Sequence, residues 1–544
     1  MGEPVLEIKN LRVGFRTEKG MLEIIHDIDL HIDRGETLVV LGESGSGKSV
    51  TASTIMDLLD RPPAEILSGE VLLHGQDLLK LSDRERQQIN GKKIAIVFQD
   101  PLAHLHPLYT IGRQIAEVLT VHGTASGSHA WKTAEQLLER VGIPDPQRRA
   151  HQYPHQFSGG QRQRVMIAMA LATRPELMIA DEPTTALDVT VQAEILSLLR
   201  ELTADFGMAV MLITHDLSVA ANMGDRVAVM QQGRIVETGE TRAVFEHPQH
   251  SYTKRLLDAR PDAMASTKEA PVGAPQLLRV EHLTKDYYIP GGLRSALTIH
   301  AVKDVSFTVA RGETLAIVGE SGSGKSTVAR LLMLLDSVTS GEIFYRGEDL
   351  LKIGKKAQFK QRRRMQMVFQ DPYSSLNPGM SVGRIISEPW TVHTDILPKS
   401  RRAERLAELL TLVGLSPDHA SRYPHEFSGG QRQRIAIARA LACEPELIIC
   451  DEAVSSLDLS IQAQMIELLT DLRDRLGLSY LFISHDLHLV RHFANRVLVM
   501  KSGDIVEQGQ TNAVFSRPEK PYTKQLVNAT PRPKWDRSLA LQPI

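Results

Sequence analysis

The sequence predicts an α/β protein built twice over, with a largely parallel sheet in each half. Three observations lead there. Residues 153–182 and 423–452 match without a gap at a shift of 270, with 22 of 30 positions identical, which marks one unit duplicated rather than two unrelated domains. Short Val/Ile/Leu runs (ETLVVLG, KIAIVFQ, ELMIADE, AVMLITHD) alternate with helical stretches such as VQAEILSLLRELTADF, the pattern of strands buried on both faces beneath helices. The chain is also 544 residues long, too long for one core at roughly 150 residues per domain.

The repeat sets the organisation. The same shift pairs ITHDLS with ISHDLH and AVFEHPQHSYTKRLLDARP with AVFSRPEKPYTKQLVNATP, and it becomes 277 at GESGSGKS. Residues 263–276, AMASTKEAPVGAPQ, lack hydrophobic periodicity and have the composition of a short flexible connector. The expected units are therefore 1–262 and 277–544.

Hydrophobic residues at 42% and charged residues at 24% give an ordinary globular balance, with no tract polar enough to enforce long disorder. The net charge of -2 leaves no global field drawing the chain to nucleic acid or an anionic membrane. Two cysteines, Cys443 and Cys450, exclude a disulfide framework or a four-thiolate metal site supplied by this chain alone, and fit a reducing cytoplasm. MGEPVLEIKN lacks a signal-peptide pattern, and no stretch approaches the roughly 18 apolar residues of a membrane span. Any membrane role is expected to run through partners.

The strongest local signal is Gly42, Glu43, Ser44, Gly45, Ser46, Gly47, Lys48 and Ser49, twinned by Gly319, Glu320, Ser321, Gly322, Ser323, Gly324, Lys325 and Ser326. Each run follows an apolar strand and opens a helix, which makes it a phosphate-binding G-x-x-x-x-G-K-[ST] loop. Glycines let backbone N–H groups converge on phosphate oxygens and the helix offers its positive end. Lys48 and Lys325 can bridge the β- and γ-phosphates, and Ser49 and Ser326 can ligate Mg²⁺. A chance glycine-rich turn is the bland alternative, and matched recurrence dismisses it. LMIADE and LIICDE end in Asp181-Glu182 and Asp451-Glu452. The Asp can hold the metal and the Glu can polarise an attacking water as general base. Acidic strand ends are often mere solubilising punctuation, but here they lie downstream of a phosphate loop, in duplicate.

FSGGQ at Phe157–Gln161 and Phe427–Gln431 resembles the signature motif of the ATP-binding-cassette (ABC) superfamily. Ser158, Gly159 and Gly160, with Ser428, Gly429 and Gly430, can present a hydroxyl and N–H groups to a terminal phosphate at a helix start. The other elements of that family follow in order. Gln99 and Gln370 resemble the Q-loop, which the resemblance also makes metal contacts. Ala186-Leu187-Asp188 and Ser456-Leu457-Asp458 resemble the D-loop, and His215 and His485 the switch histidine at the γ-phosphate. Phe15 and Tyr287 resemble the aromatic that stacks on adenine, and Thr327 extends the second nucleotide contact. The resemblance implies two tandem ABC-type P-loop NTPase cassettes, each with a RecA-like parallel-sheet core, an antiparallel β subdomain and a helical signature subdomain. It implies ATP and Mg²⁺ as ligands, and two hydrolytically competent sites in which the signature of one cassette completes the site of the other. Ala453 stands where the first copy has Pro183, but it replaces no phosphate or metal ligand.

The tails HPQHSYTKRLLDARP and RPEKPYTKQLVNATP, with Pro248, Tyr252 and Thr253 and with Pro518, Tyr522 and Thr523, resemble the C-terminal motif of ATPases serving dipeptide, oligopeptide and nickel importers. The chain as a whole is most similar to the fused ATPases of Yej-type peptide importers. VFQDPYSSLNP resembles the segment that faces the permease in this family, whereas the first copy reads VFQDPLAHLHP, with His104 and His106 departing from it. These departures read as surface variation or as tuning of one permease contact. A basic run, Lys355, Lys356, Lys360 and Arg362 to Arg364, reads as a solvated face, the alternative being contact with lipid head groups or the permease. The resemblance implies peripheral attachment at the cytoplasmic face of the inner membrane, two integral-membrane permease subunits and an extracytoplasmic solute-binding protein.

Other solutes stay open: nickel, glutathione or opine-like molecules. A different class is a ribosome-associated tandem-cassette translation factor, but such proteins carry a long charged helical linker. A DNA-repair or chromosome-structure ATPase would insert a coiled coil or zinc modules, for which heptads and cysteines are missing.

Overall fold

The computed structural model describes residues 4–18, 20–185, 187–258, 273–289, 297–371, 375–454 and 457–530. They fall into two compact units, one within Met1–Asp258 and the other within Ala259–Thr530. Most of the expected connector, residues 263–272, lies outside the described residues, and Gln276 already opens a strand.

The first unit holds strands β1 (Leu6–Thr17), β2 (Gly20–Ile32), β3 (Thr37–Leu41), β4 (Ala64–Leu73), β5 (Gln76–Asp77), β6 (Ile94–Val97), β7 (Leu177–Asp181), β8 (Ala209–Thr214), β9 (Arg226–Gln231) and β10 (Arg234–Glu240). Its larger sheet runs β10-β9-β3-β8-β7-β6. The five strands from β9 to β6 are parallel and β10 closes one edge antiparallel. Every residue of β3 and β8 is buried, as continuous apolar runs require when helices cover both faces. A smaller antiparallel sheet, β2-β1-β4-β5, packs its apolar side into the same core.

The second unit repeats this plan with β11 (Gln276–Ile289), β12 (Leu297–Ala310), β13 (Thr314–Val318), β14 (Ser340–Tyr345), β15 (Glu348–Asp349), β16 (Met365–Val368), β17 (Leu447–Asp451), β18 (Ser479–Ile483), β19 (Arg496–Lys501) and β20 (Asp504–Gln510). The sheets are β16-β17-β18-β13-β19-β20 and β12-β11-β14-β15.

Between β6 and β7 the chain leaves the sheet for helices Ile111–Val121 and Gly127–Arg140 and returns through Gly159–Leu171. The second unit does likewise, burying Trp390, whose Nε1 donates to the Ala442 carbonyl at 2.9 Å. The predicted helix at VQAEILSLLRELTADF is Val189–Phe206, stopped by Gly207 at φ 58; its twin Leu459–Leu476 stops at Gly477, φ 67. A left-handed residue at a helix end costs glycine nothing. No helix among the described residues is long and apolar enough to cross a membrane.

Ile179 and Ile449, each fully buried mid-strand, are the expected weak points. Ile179→Ala or Ile449→Ala is expected to cost about 2–5 kcal/mol through transfer and cavity terms, read as a lowered urea midpoint with the cassette's circular dichroism retained.

Candidate functional site

Each phosphate loop leaves the end of a central parallel strand and is shaped by what surrounds it. A Cβ on Gly42 would stand 2.3 Å from the Met230 carbonyl oxygen, and one on Gly319 would stand 2.2 Å from that of Met500. Gly47 and Gly324 cap the following helices Lys48–Ile55 and Lys325–Leu332 at φ 104. Lys48 Nζ donates to the carbonyls of Gly42 and Glu43 at 2.7 and 2.9 Å, and Lys325 Nζ to those of Gly319 and Glu320 at 2.8 and 2.9 Å. The ammonium groups are thus held inside the loop rather than in water. The hydroxyls of Ser46 and Ser323 are buried within the loops without a hydrogen-bond partner among the described residues, an arrangement that an incoming phosphate oxygen would satisfy.

The adjacent strand ends deliver the carboxylates. Ser49 Oγ donates to Asp181 Oδ1 at 3.1 Å, and Ser326 Oγ to Asp451 Oδ1 at 2.9 Å. Burial pushes both Asp carboxyls above their ordinary range, against the pull of those hydroxyls. Glu182 and Glu452 follow at φ 45 and 49, left-handed values that side-chain-bearing residues adopt at a cost and that cluster at functional sites. Gln99 Nε2 donates to Glu182 Oε2 at 3.0 Å, and Gln370 Nε2 to Glu452 Oε2 at 2.8 Å. His215 Nδ1 lies 3.1 Å from Glu182 Oε1, and His485 Nδ1 lies 3.6 Å from Glu452 Oε2. Burial works against the charge of each Glu, but the hydrogen bond and charge of the His outweigh it and hold the carboxyl below its usual value. His485 is the reciprocal case: burial disfavours its cation, and Glu452 nevertheless holds it above the ordinary imidazole range.

The structure therefore brings together, in each unit, the loop lysine and serine, the Asp-Glu pair, the glutamine and the histidine. Ser158 and Ser428 sit apart from that cluster in their hydrogen bonding: each caps its helix, accepting from Gln161 N at 3.3 Å and Gln431 N at 3.4 Å. Gly160 and Gly430 have a packing reason, since a Cβ there would meet Val191 at 2.3 Å or Ile461 at 2.5 Å. Phe15 lies in β1 opposite Leu22 and Ala64, and Tyr287 is 37% exposed in β11. Ala186 and Ser456 lie outside the described residues. His104 stacks on Phe98 at 3.8 Å and His106 on Tyr109 at 4.3 Å, so both have partners within their own unit.

One contact was not legible as a site. The tail tyrosines reach the phosphate loops: Glu43 N donates to Tyr252 Oη at 3.3 Å and Glu320 N to Tyr522 Oη at 3.2 Å. Both rings are buried. Glu237 anchors its tail by accepting from Gln249 N and His250 N at 2.8 and 3.0 Å, and Glu507 does the same with Glu519 N and Lys520 N at 3.0 and 3.1 Å. The only sequence signal was the duplication of the Tyr-Thr pair.

For a metal, the donor set is one hydroxyl, one buried carboxylate and one amide oxygen per unit. This all-oxygen set suits Mg²⁺, which takes one or two carboxylates and fills its shell from phosphates and water. Among the described residues there is no cluster of three or more His, Cys, Asp or Glu side chains that could cage a metal.

The ABC transporter family model matches residues 25–185 and 302–455, more than half of the chain. The chain belongs to the ABC transporter family. YejF of Escherichia coli K12, described as an uncharacterized ABC transporter ATP-binding protein, is 48% identical over 530 residues, spanning 97% of this chain and 99% of that one. The glutathione import ATP-binding protein GsiA of the same strain is 46% identical over 560 residues, spanning 97% and 89%. A solved dimeric bacterial ABC transporter cassette is 32% identical across 44% of this chain and 99% of its own, with a TM-score of 0.40. Residues 236–284 and 506–543 match the C-terminal region of oligopeptide/dipeptide transporters. This ABC protein is an ATP hydrolase coupled to transport, and subunits of its kind work from the cytoplasmic side with membrane permeases and a binding protein.

Removing only the tail hydroxyls tests the loop contact. With one hydrogen bond contributing about 0.5–1.5 kcal/mol, Tyr252→Phe with Tyr522→Phe is expected to raise the KM for ATP about two- to tenfold with a smaller change in kcat. An unchanged KM would leave the tails without a part in nucleotide binding.

Proposed function

We propose that this chain is the fused ATPase that energises import of dipeptide- or oligopeptide-class peptides through two separate permease subunits. It works as a peripheral subunit on the cytoplasmic face of the inner membrane, with cassettes at 1–262 and 277–544 and an extracytoplasmic binding protein selecting the solute. The observation that carries the reading is a coincidence found in both units: a full loop, carboxylate, glutamine and histidine cluster, and a peptide-importer tail whose tyrosine touches that loop.

Phosphates of ATP take the place that the loop prepares, drawn by its backbone N–H groups, by the free Ser46 and Ser323 hydroxyls and by Lys48 and Lys325. Mg²⁺, held by Ser49, Asp181 and Gln99 or by Ser326, Asp451 and Gln370, would supply positive charge to the phosphate oxygens. Glu182 and Glu452, kept ionised by their histidines, are placed to take the proton of the attacking water. Gln99 and Gln370 fix these carboxylates from the strand next door, so a movement of the Q-loop that follows permease motion changes the base directly. Phe15 and Tyr287 complete the reading at the base end. Ser158, Gly159 and Gly160 with Ser428, Gly429 and Gly430 complete it at the terminal phosphate.

A second reading, glutathione import, is supported by the 46% identity to GsiA. Glutathione is itself a tripeptide, so the two differ in solute and not in engine. Reconstitution with the permease subunits and binding protein that copurify with this chain decides it. ATP-driven uptake of labelled oligopeptide that excess glutathione does not compete is the expected result. Uptake of glutathione alone overturns the peptide reading, and recovery of ribosomes instead of permeases overturns both. In the same vesicles, Glu182→Gln with Glu452→Gln is expected to lower turnover about 10²–10⁴-fold, the usual range for a lost general base. Unchanged turnover in Glu452→Gln alone would remove the second site from the cycle.

A further inference from the structure

The two nucleotide clusters match residue for residue at the phosphate end and part company at the other. Constant shifts identify the partners. Asn10 and His282, both left-handed at φ 45 and 51, fix the shift of 272 in β1 and β11, and Asp57 and Leu334, both at φ 53, fix the shift of 277 after the phosphate loops. By these shifts Phe15 pairs with Tyr287, Ser53 with Arg330 and Leu59 with Asp336.

In the second unit these three residues form one hydrogen-bonded chain. Tyr287 Oη donates to Asp336 Oδ2 at 3.0 Å, and Arg330 grips the same carboxylate through Nε and Nη2 at 2.8 and 3.1 Å. Arg330 lies on helix Lys325–Leu332, which the phosphate loop opens. A second tie runs alongside: the Lys285 ammonium sits 4.8 Å from the Tyr287 ring centroid and donates to the Ser337 carbonyl at 2.6 Å. The Lys285 counterpart is Val13, which is buried in the apolar core, and Leu59 packs against that core too. Phe15 has no hydroxyl, so the first unit cannot build this chain from the residues it has.

We infer that Tyr287, Asp336 and Arg330 form a brace that positions the base platform of the second nucleotide site against its own phosphate-loop helix, so that the two sites bind ATP unequally, the second more tightly. The inference rests on the reading of Phe15 and Tyr287 as the residues that receive the base. A ring already fixed loses less side-chain freedom when a ligand stacks on it, and a bidentate guanidinium–carboxylate pair is the most directional anchor available for that purpose. Arg330 holds the Asp336 carboxyl below its ordinary range, so the brace stays charged at neutral pH. Tyr287, Asp336 and Arg330 are positioning residues; the chemistry stays with Glu452.

The test is a titration of the full-length chain with the fluorescent nucleotide mant-ATP in the absence of Mg²⁺. Lys325→Ala leaves the first site to be read and Lys48→Ala leaves the second. The second site is expected to bind about two- to tenfold more tightly, the range for one pre-fixed side chain. Adding Tyr287→Phe or Asp336→Asn to Lys48→Ala is expected to bring it down to the level of the first. Displacement by tripolyphosphate, which has no base, is expected to stay unchanged, whereas a general loosening of the cassette would weaken it equally. Equal affinities at the start, no effect of either substitution, or a parallel loss for tripolyphosphate overturns the brace. Tyr287→Ala in the same background separates the two levels. If it changes nothing, the base-platform reading itself fails; if it weakens binding while Tyr287→Phe and Asp336→Asn do not, only the brace fails.

Discussion

The arrangement depends on four parallel strands ending on the same edge of each large sheet. Because β6, β7, β8 and β3 run in one direction in hydrogen-bonded register, the glutamine after β6, the Asp-Glu pair closing β7, the histidine after β8 and the glycine loop after β3 have to emerge side by side. The apolar runs that stabilise the sheet and the polar residues that follow them are consequences of the same burial: inside, a charge is costly, and at the edge it is available. The left-handed backbone of Glu182 and Glu452 is the local expense of turning a carboxylate back across that edge toward its glutamine and histidine.

Much of this was legible in the sequence because its parts are local. A glycine loop between strand and helix, a strand closed by two carboxylates and an ITHD or ISHD segment each state their own geometry in a handful of residues, and the 270-residue repeat confirms each with a twin. The strands and the long helices lie where the apolar runs and the helical stretches put them. What was not legible is what joins distant segments. Nothing local to Tyr252 reveals that its hydroxyl meets an amide 209 residues earlier, since the side chain reads simply as one apolar face of a short helix. The stacking of His104 on Phe98 was likewise hidden, because sequence shows a departure from a pattern but not the ring that absorbs it.

The duplication is also more informative for its mismatches than for its matches. The loop residues proposed to receive phosphate are the same in both copies, down to the two carbonyls that each lysine engages. Around the second aromatic, Phe15, Ser53 and Leu59 of the first copy give way to a tyrosine, an arginine and an aspartate that hydrogen-bond one another. Asp336, the least exposed of the three, has its carboxylate met by both of the others.

The tyrosine that reaches each loop from the tail has a practical corollary for anyone dividing this molecule. The family match ends at residues 185 and 455, short of the D-loop and the histidine of each half, and the last strand ends at Glu240 or Gln510. A fragment trimmed after that strand would keep every motif by which such an enzyme is recognised, yet would have lost a strut that steadies its phosphate loop. The smallest honest version of either half extends through Asp258 or Thr530.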